Sequence, residues 1–160
     1  MIEYVLEHRN IFIFIHVLGA VVWVGGMIAI RFAAHYAFLD IVNPQDRLEK
    51  TSATLKRLFT IVLPFVLLLA LTGALLTVAY GIKYTDFHYL THLKEGIWGV
   101  MFANLAAMIY RRREADKAMV KGDFARARVM LGMIGKYMVP VNIILGLGAI
   151  FLGTYLRTLI

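Results

Sequence analysis

The run HVLGAVVWVGGM, residues 16–27, sets His16, Trp23 and the pair Gly25–Gly26 inside otherwise aliphatic sequence. No water-facing surface is built this way, so the surroundings of this run decide the fold. Of 160 residues, 61% are hydrophobic and 17% charged, and the mean hydropathy is +0.74, well above that of an ordinary globular domain. The chain reads as a lipid-bilayer protein. There is no cysteine, which leaves His, Met, Asp, Glu and backbone groups as the only metal donors. The formal charge of +7 reads as membrane topology, and no nucleic-acid partner is expected. The N-terminal MIEYVLEHRN has two Glu before its single Arg, and the apolar stretch behind it is too long for a signal-peptide core, so no cleaved leader is expected.

Crossing a hydrocarbon core of about 30 Å takes about 20 helical residues. Stretches of that kind run roughly over 11–39, 58–80, 90–110 and 135–156. They lack the alternation of strands, and four could not close a barrel. The expectation is an all-α, single-domain four-transmembrane-helix bundle over 1–160. DIVNPQDRLEKTS (40–52), YGIKYTDFHY (80–89) and RRREADKAMVKGDFARARVM (111–130) connect the spans. The last reads as an amphipathic helix along the membrane surface, interrupted at Gly122. The first and third connections hold twelve Lys and Arg, from Arg47 to Lys136, against Lys83 and Lys94 around the second. The basic connections are therefore placed in the cytoplasm, giving an inner-membrane protein with both termini outside.

An ionisable group inside a span is a candidate for function, because hydrocarbon without a partner penalises it by several kcal/mol. His16 lies about 7 Å below the outer boundary at a rise of 1.5 Å per residue. His92 stands near the outer start of the third span, at comparable depth. His35 is about 28 Å further along the first helix and cannot share a ligand with His16. His16, Gly19, Trp23 and Gly26 recur at spacings of three and four, and His92, Gly96, Gly99 and Ala103 repeat the arrangement. Small residues let a neighbouring helix or a flat cofactor approach the backbone. The pattern suits a b-type haem between the helices with His16 and His92 as axial ligands, and it also suits plain helix packing. Copper is an alternative, with His88 and His92 at i, i+4 and His8, Asp86 or Glu95 nearby. Arg31 reads as snorkelling to the inner headgroups. Lys94 either snorkels outward or neutralises a haem propionate. Asn104 and Asn142 read as interhelical hydrogen-bonding amides, and Pro64 and Pro140 as kinks.

IHVLGAVVWVGGM (15–27), LTGALL (71–76) and HLKEGIW (92–98) together resemble the membrane domain of CopD-like copper-resistance proteins and the related HemJ-type protoporphyrinogen oxidases, over the first three spans. The HemJ-type resemblance implies haem b, functional roles at His16, His92 and Lys94, and six-electron oxidation of protoporphyrinogen IX with electrons passed towards quinone. Arg31 and His35 fall near a further Arg and His of that family at different spacing, and KYMVPVNIILGLG (136–148) has its proline without its acid. The CopD-like resemblance implies copper handling.

The reading expected of the chain is then a haem b redox protein exchanging electrons with the quinone pool or oxidising a porphyrinogen. His16 and His92 bind the iron, Trp23, Gly19 and Gly96 line the macrocycle, and Lys94 is the catalytic or anchoring cation. The alternatives are a CopD-like copper protein and a cofactor-free accessory subunit of a respiratory complex. A homo-oligomer or a larger membrane complex accompanies any of the three.

Overall fold

The computed structural model describes residues 2–84 and 87–159, the side chains of Lys83 and Leu159 apart. Among the described residues there is no strand, and four long helical rods account for nearly all of the chain. The first rod joins α1 (Ile2–Glu7), α2 (Arg9–Ala29), a five-residue π turn (Ile30–Ala34) and α3 (His35–Leu39). The second is α4 (Pro44–Ala79) and the third α5 (His88–Val120). The fourth joins α6 (Phe124–Met133), a second π turn (Ile134–Met138) and α7 (Val139–Leu159). Three of them, Arg9–Leu39, Pro44–Ala79 and Phe124–Thr158, are long and apolar enough to cross a membrane, with mean hydropathies of 2.4, 2.6 and 1.9. The third rod, α5, is not in that set.

The turns follow from local chemistry. Asn43 accepts a hydrogen bond from the Gln45 N–H at 2.9 Å, and Pro44 fills the first helical position, where a missing N–H is no loss. Arg47 donates through Nε and Nη2 to the Ile41 carbonyl at 3.2 and 2.8 Å, closing the end of α3. Gly81 (φ +61°) and Gly122 (φ +76°) make the left-handed turns that end α4 and α5, a conformation glycine adopts without steric penalty. Asp123 then caps α6 by accepting from the Arg126 N–H at 3.0 Å. The basic connection does not lie along a surface as a separate helix. Its first half prolongs α5 to Val120, Gly122 interrupts the helix as expected and there reverses the chain, and its second half opens the returning rod. Continuous i to i+4 bonding through Arg111–Val120 explains this, since no breaker interrupts that stretch.

The rods pack α2 against α4 and α7, and α5 against α4 and α7. A Cβ added at Gly19 would lie 3.0 Å from the Phe65 carbonyl oxygen and 3.1 Å from Leu69 Cβ, and one at Gly26 would lie 2.8 Å from a Leu58 methyl. Glycine therefore sets the approach of α2 to α4. Val24, Met101 and Gly146 meet at one level of α2, α5 and α7. About one turn below, Asn104 Nδ2 donates to the Asn142 side-chain oxygen and the Met138 carbonyl, both at 2.8 Å, and Asn142 Nδ2 donates to the Met101 carbonyl at 3.2 Å. These are the interhelical amides expected of Asn104 and Asn142. The Met138 bond reaches the last residue of the second π turn, two residues before Pro140 in the first turn of α7. At the basic end Arg112, 7% exposed, pairs with Asp116 at 2.6 Å, and Ser52 on α4 donates to the same carboxylate. Large apolar side chains such as Phe14, Ile61, Leu67, Ile144 and Phe151 face outward, the distribution of a body solvated by lipid.

Two glycines of α7 separate crowding from open space. An added Cβ at Gly146 would sit 2.5 Å from Val24 Cγ2, whereas one at Gly148 meets nothing within 4 Å. Gly146→Ala is expected to destabilise the protein by about 1–3 kcal/mol through overpacking. Gly148→Ala is expected to be neutral or stabilising by up to about 1 kcal/mol. Reversible unfolding in mixed detergent micelles checks both, and equal effects would contradict the packing described.

Candidate functional site

His16 is the polar group of α2 that the fold engages most closely. It faces α4, where its Nδ1 lies 3.1 Å from the Leu69 carbonyl oxygen and 3.0 Å from Thr72 Oγ1. A carbonyl can only accept, so Nδ1 carries the hydrogen. Thr72 spends its own hydrogen on the Leu68 carbonyl at 2.6 Å, which leaves its oxygen free to accept from the ring. The neutral imidazole is thereby fixed with its lone pair on Nε2, the arrangement in which backbone and hydroxyl acceptors orient a metal-ligating histidine. A Cβ added at Gly73 would be 3.1 Å from His16 Cε1, so the small residue makes room for the ring.

Lys94 reaches the same level from α5. Its charge is felt at the His16 ring, and Gly153 of α7 gives the ammonium space, since a Cβ there would lie 3.0 Å from Nζ. Among the described residues no carboxylate lies within ion-pair distance of Lys94. Three further polar atoms in this half of the molecule are buried without a partner among the described residues: Thr91 Oγ1, Trp98 Nε1 and Trp23 Nε1. Thr91, Lys94 and Trp98 share one face of α5. Trp98 also stacks on Phe102, with centroids 5.1 Å apart and planes 7° from parallel.

The residues read from the sequence separate into two groups. His16, Gly19 and Trp23 point into the bundle, and Trp23 is 2% exposed. Their stripe is filled by α4, not by open space. Lys94 joins His16. His92 does not: its side chain is 61% exposed and bonds Glu95 Oε2 through Nδ1 at 3.1 Å. Two residues on a helix project about 200° apart, so with Lys94 turned inward His92 faces out. Gly96 and Gly99 share its open side, where an added Cβ meets nothing within 4 Å. His88 sits edge-on to His92 with ring centroids 6.1 Å apart, and Asp86 lies outside the described residues. His8 bonds the Tyr4 carbonyl of its own helix, His35 is exposed far down the first rod, and Arg31 is half-buried in the first π turn. Thr72, Gly73 and Gly153 were not singled out for this site. The first two sit in LTGALL, and a lone threonine at the depth of His16 was the available signal.

The donor set can be tested against the groups considered. Among the described residues no three of His, Asp and Glu converge as a metal cage. A haem carries four nitrogen ligands of its own and asks the protein for one or two axial donors. His16 Nε2 fits one, and the unpaired Lys94 ammonium fits a propionate carboxylate. The second imidazole, His92, does not share that pocket. Two clefts, of about 140 Å³ beside Val5 and Leu71 and about 330 Å³ between Arg47 and Arg128, lie away from both His16 and Lys94. No protein-family model, curated protein or solved structure matches the chain.

The tautomer can be checked directly. A two-bond 1H–15N correlation spectrum of histidine-labelled protein is expected to show His16 with a protonated Nδ1 and a bare Nε2, and Gly73→Ala is expected to disturb that pattern by displacing the ring. A neutral ring protonated on Nε2 would contradict the hydrogen bonding to Leu69 and Thr72.

Proposed function

We propose that this chain is a membrane redox protein that binds haem b through His16, with Lys94 anchoring a carboxylate of the cofactor or of a porphyrinogen-like substrate. The observation that carries the reading is an imidazole committed through Nδ1, and so open at Nε2, in the same half of the molecule as an ammonium that has no carboxylate partner among the described residues. In a bilayer such a cation calls for an anionic companion. Haem, when bound, supplies one-electron transfer between a reduced organic substrate and an acceptor of the quinone type.

The protein's own groups have separate tasks. Leu69 and Thr72 hold the imidazole in one tautomer and one orientation. Gly73 and Gly153 clear space for the ring and the ammonium. Lys94 neutralises carboxylate charge at the depth of His16. In this reading α5 is the fourth membrane crossing, its weaker hydropathy reflecting Lys94, Glu95 and Asn104. The basic ends of the rods then lie in the cytoplasm and both termini outside, in a bacterial inner membrane. The motif resemblance to HemJ-type proteins supports the same reading, and the CopD-like alternative has less support from the donor set. A cofactor-free subunit is a second reading, favoured by the open small-residue side of α5.

A reduced-minus-oxidised absorption spectrum of protein purified in mild detergent, after expression with haem supply, tests this. The expected result is an α-band in the parent that is lost in His16→Ala, weakened in Lys94→Met and retained in His92→Ala. Retention of the band in His16→Ala would overturn the site. Colourless protein at full haem supply favours the subunit reading.

A further inference from the structure

At the basic end of the molecule the start of the second rod meets the start of the fourth in a cleft that the His16 site does not use. Its volume is about 330 Å³, and it is lined by Pro44, Arg47 and Leu48 of α4 and by Arg128 of α6. The three α4 residues fall at i, i+3 and i+4, so one face of the first turns of that helix forms a wall. Two guanidiniums border this space, and neither has an acid. Asp46 and Glu49 flank Arg47 in the chain and Asp123 precedes Arg128, yet among the described residues no carboxylate lies within ion-pair distance of either arginine. Asp123 caps α6 instead. Arg47 is half-buried and oriented: Nε and Nη2 donate to the Ile41 carbonyl at 3.2 and 2.8 Å, which fixes the plane of the group and leaves the N–H donors of Nη1 unspent. Arg128, exposed on α6, has no hydrogen-bond partner among the described residues, so its five donors are open.

Like charges that border one cleft repel, and an anion between them turns that repulsion into attraction. Guanidinium forks bind oxyanions through paired N–H donors. A carboxylate has two oxygens and is filled by one fork, whereas a phosphoryl group presents more and can take both. Basic pockets between membrane helices bind the phosphates of lipid head groups in this way. We infer that the Arg47–Arg128 cleft binds a phosphoryl group, carried by a lipid head group or by a soluble phosphate ester. Arg47, tethered to Ile41, supplies the preset donors, and Arg128 completes the pair from α6. The bound anion ties the start of α4 to the start of α6. Neither the haem reading nor the crossing of α5 is required for this.

Maltoside micelles contain no phosphate, so the full chain purified in them can be offered one source at a time. Native mass spectrometry then counts the molecules retained as glycerol 3-phosphate, the soluble source, or phosphatidylglycerol, the lipid source, is titrated in. Saturable binding of at least one of the two is expected, weakened about tenfold in Arg128→Gln. Arg126→Gln removes the same charge two residues away on another face of α6 and is expected to change binding by less than about twofold, as the loss of a distant surface charge would. Arg128 has no partner within the described chain, so its replacement is expected to leave the unfolding midpoint where it was. Retention of glycerol 3-phosphate with this pattern identifies a soluble ester and retention of phosphatidylglycerol a lipid, and either upholds the cleft. Binding of neither, or a loss in Arg128→Gln no greater than in Arg126→Gln, overturns it. None of these results bears on the haem spectrum, so the two readings fail separately.

Discussion

The approach of α2 to α4 governs the arrangement at the His16 end. Gly19 and Gly26 remove the two side chains that would hold the backbones apart, and with them gone Gly19 lies against the Phe65 carbonyl and Leu69. Only at that separation can the short His16 side chain reach the Leu69 carbonyl and Thr72. The glycines that resemble a slot for a flat ligand are thus occupied by a neighbouring helix. Their role in the site is indirect: they bring the acceptors that set which nitrogen of His16 stays open.

Where water is scarce, buried polar groups report on purpose by whether their partners lie inside the chain. At mid-depth Asn104 and Asn142 satisfy one another and two carbonyls. At the basic end Arg112, Asp116 and Ser52 do the same between α5 and α4. Both sets are closed and explain packing. At the His16 end, among the described residues, Lys94 has no carboxylate partner and Thr91, Trp23 and Trp98 each keep an unbonded polar atom. Among the described residues one half of the molecule is self-sufficient in buried hydrogen bonds and the other is not, and the proposed haem belongs to the second half.

The helical content, three of the four expected spans and the turn residues were legible in the sequence because they depend on local period and on single residues. Asn43 with Pro44, Gly122, and the interhelical amides Asn104 and Asn142 appear where that reading put them. The straight continuation of α5 through Arg111–Val120 was missed, since charge pattern alone does not tell a separate amphipathic helix from the prolongation of the one before it. The site was legible in part for a similar reason. Spacing identifies residues that share a helix face, but not which face turns inward. His92 and Lys94 sit two apart on α5 and cannot both point at His16. Choosing between them takes the contacts of the opposite side, Met101, Leu105 and Met108, which are buried at 3% exposure or less.

That choice also accounts for the composition of α5. Its inner side must supply Lys94 at one level and Asn104 at another, and each lowers the apolar character of the rod. A lipid-facing outer side could have compensated with Leu, Ile and Phe, as the outer sides of α2, α4 and α7 do. Here Gly96, Gly99, Ala103 and Ala107 interleave with exposed Leu93 and Val100, so both sides of α5 depress its hydropathy, and the rod falls outside the set long and apolar enough to cross a membrane.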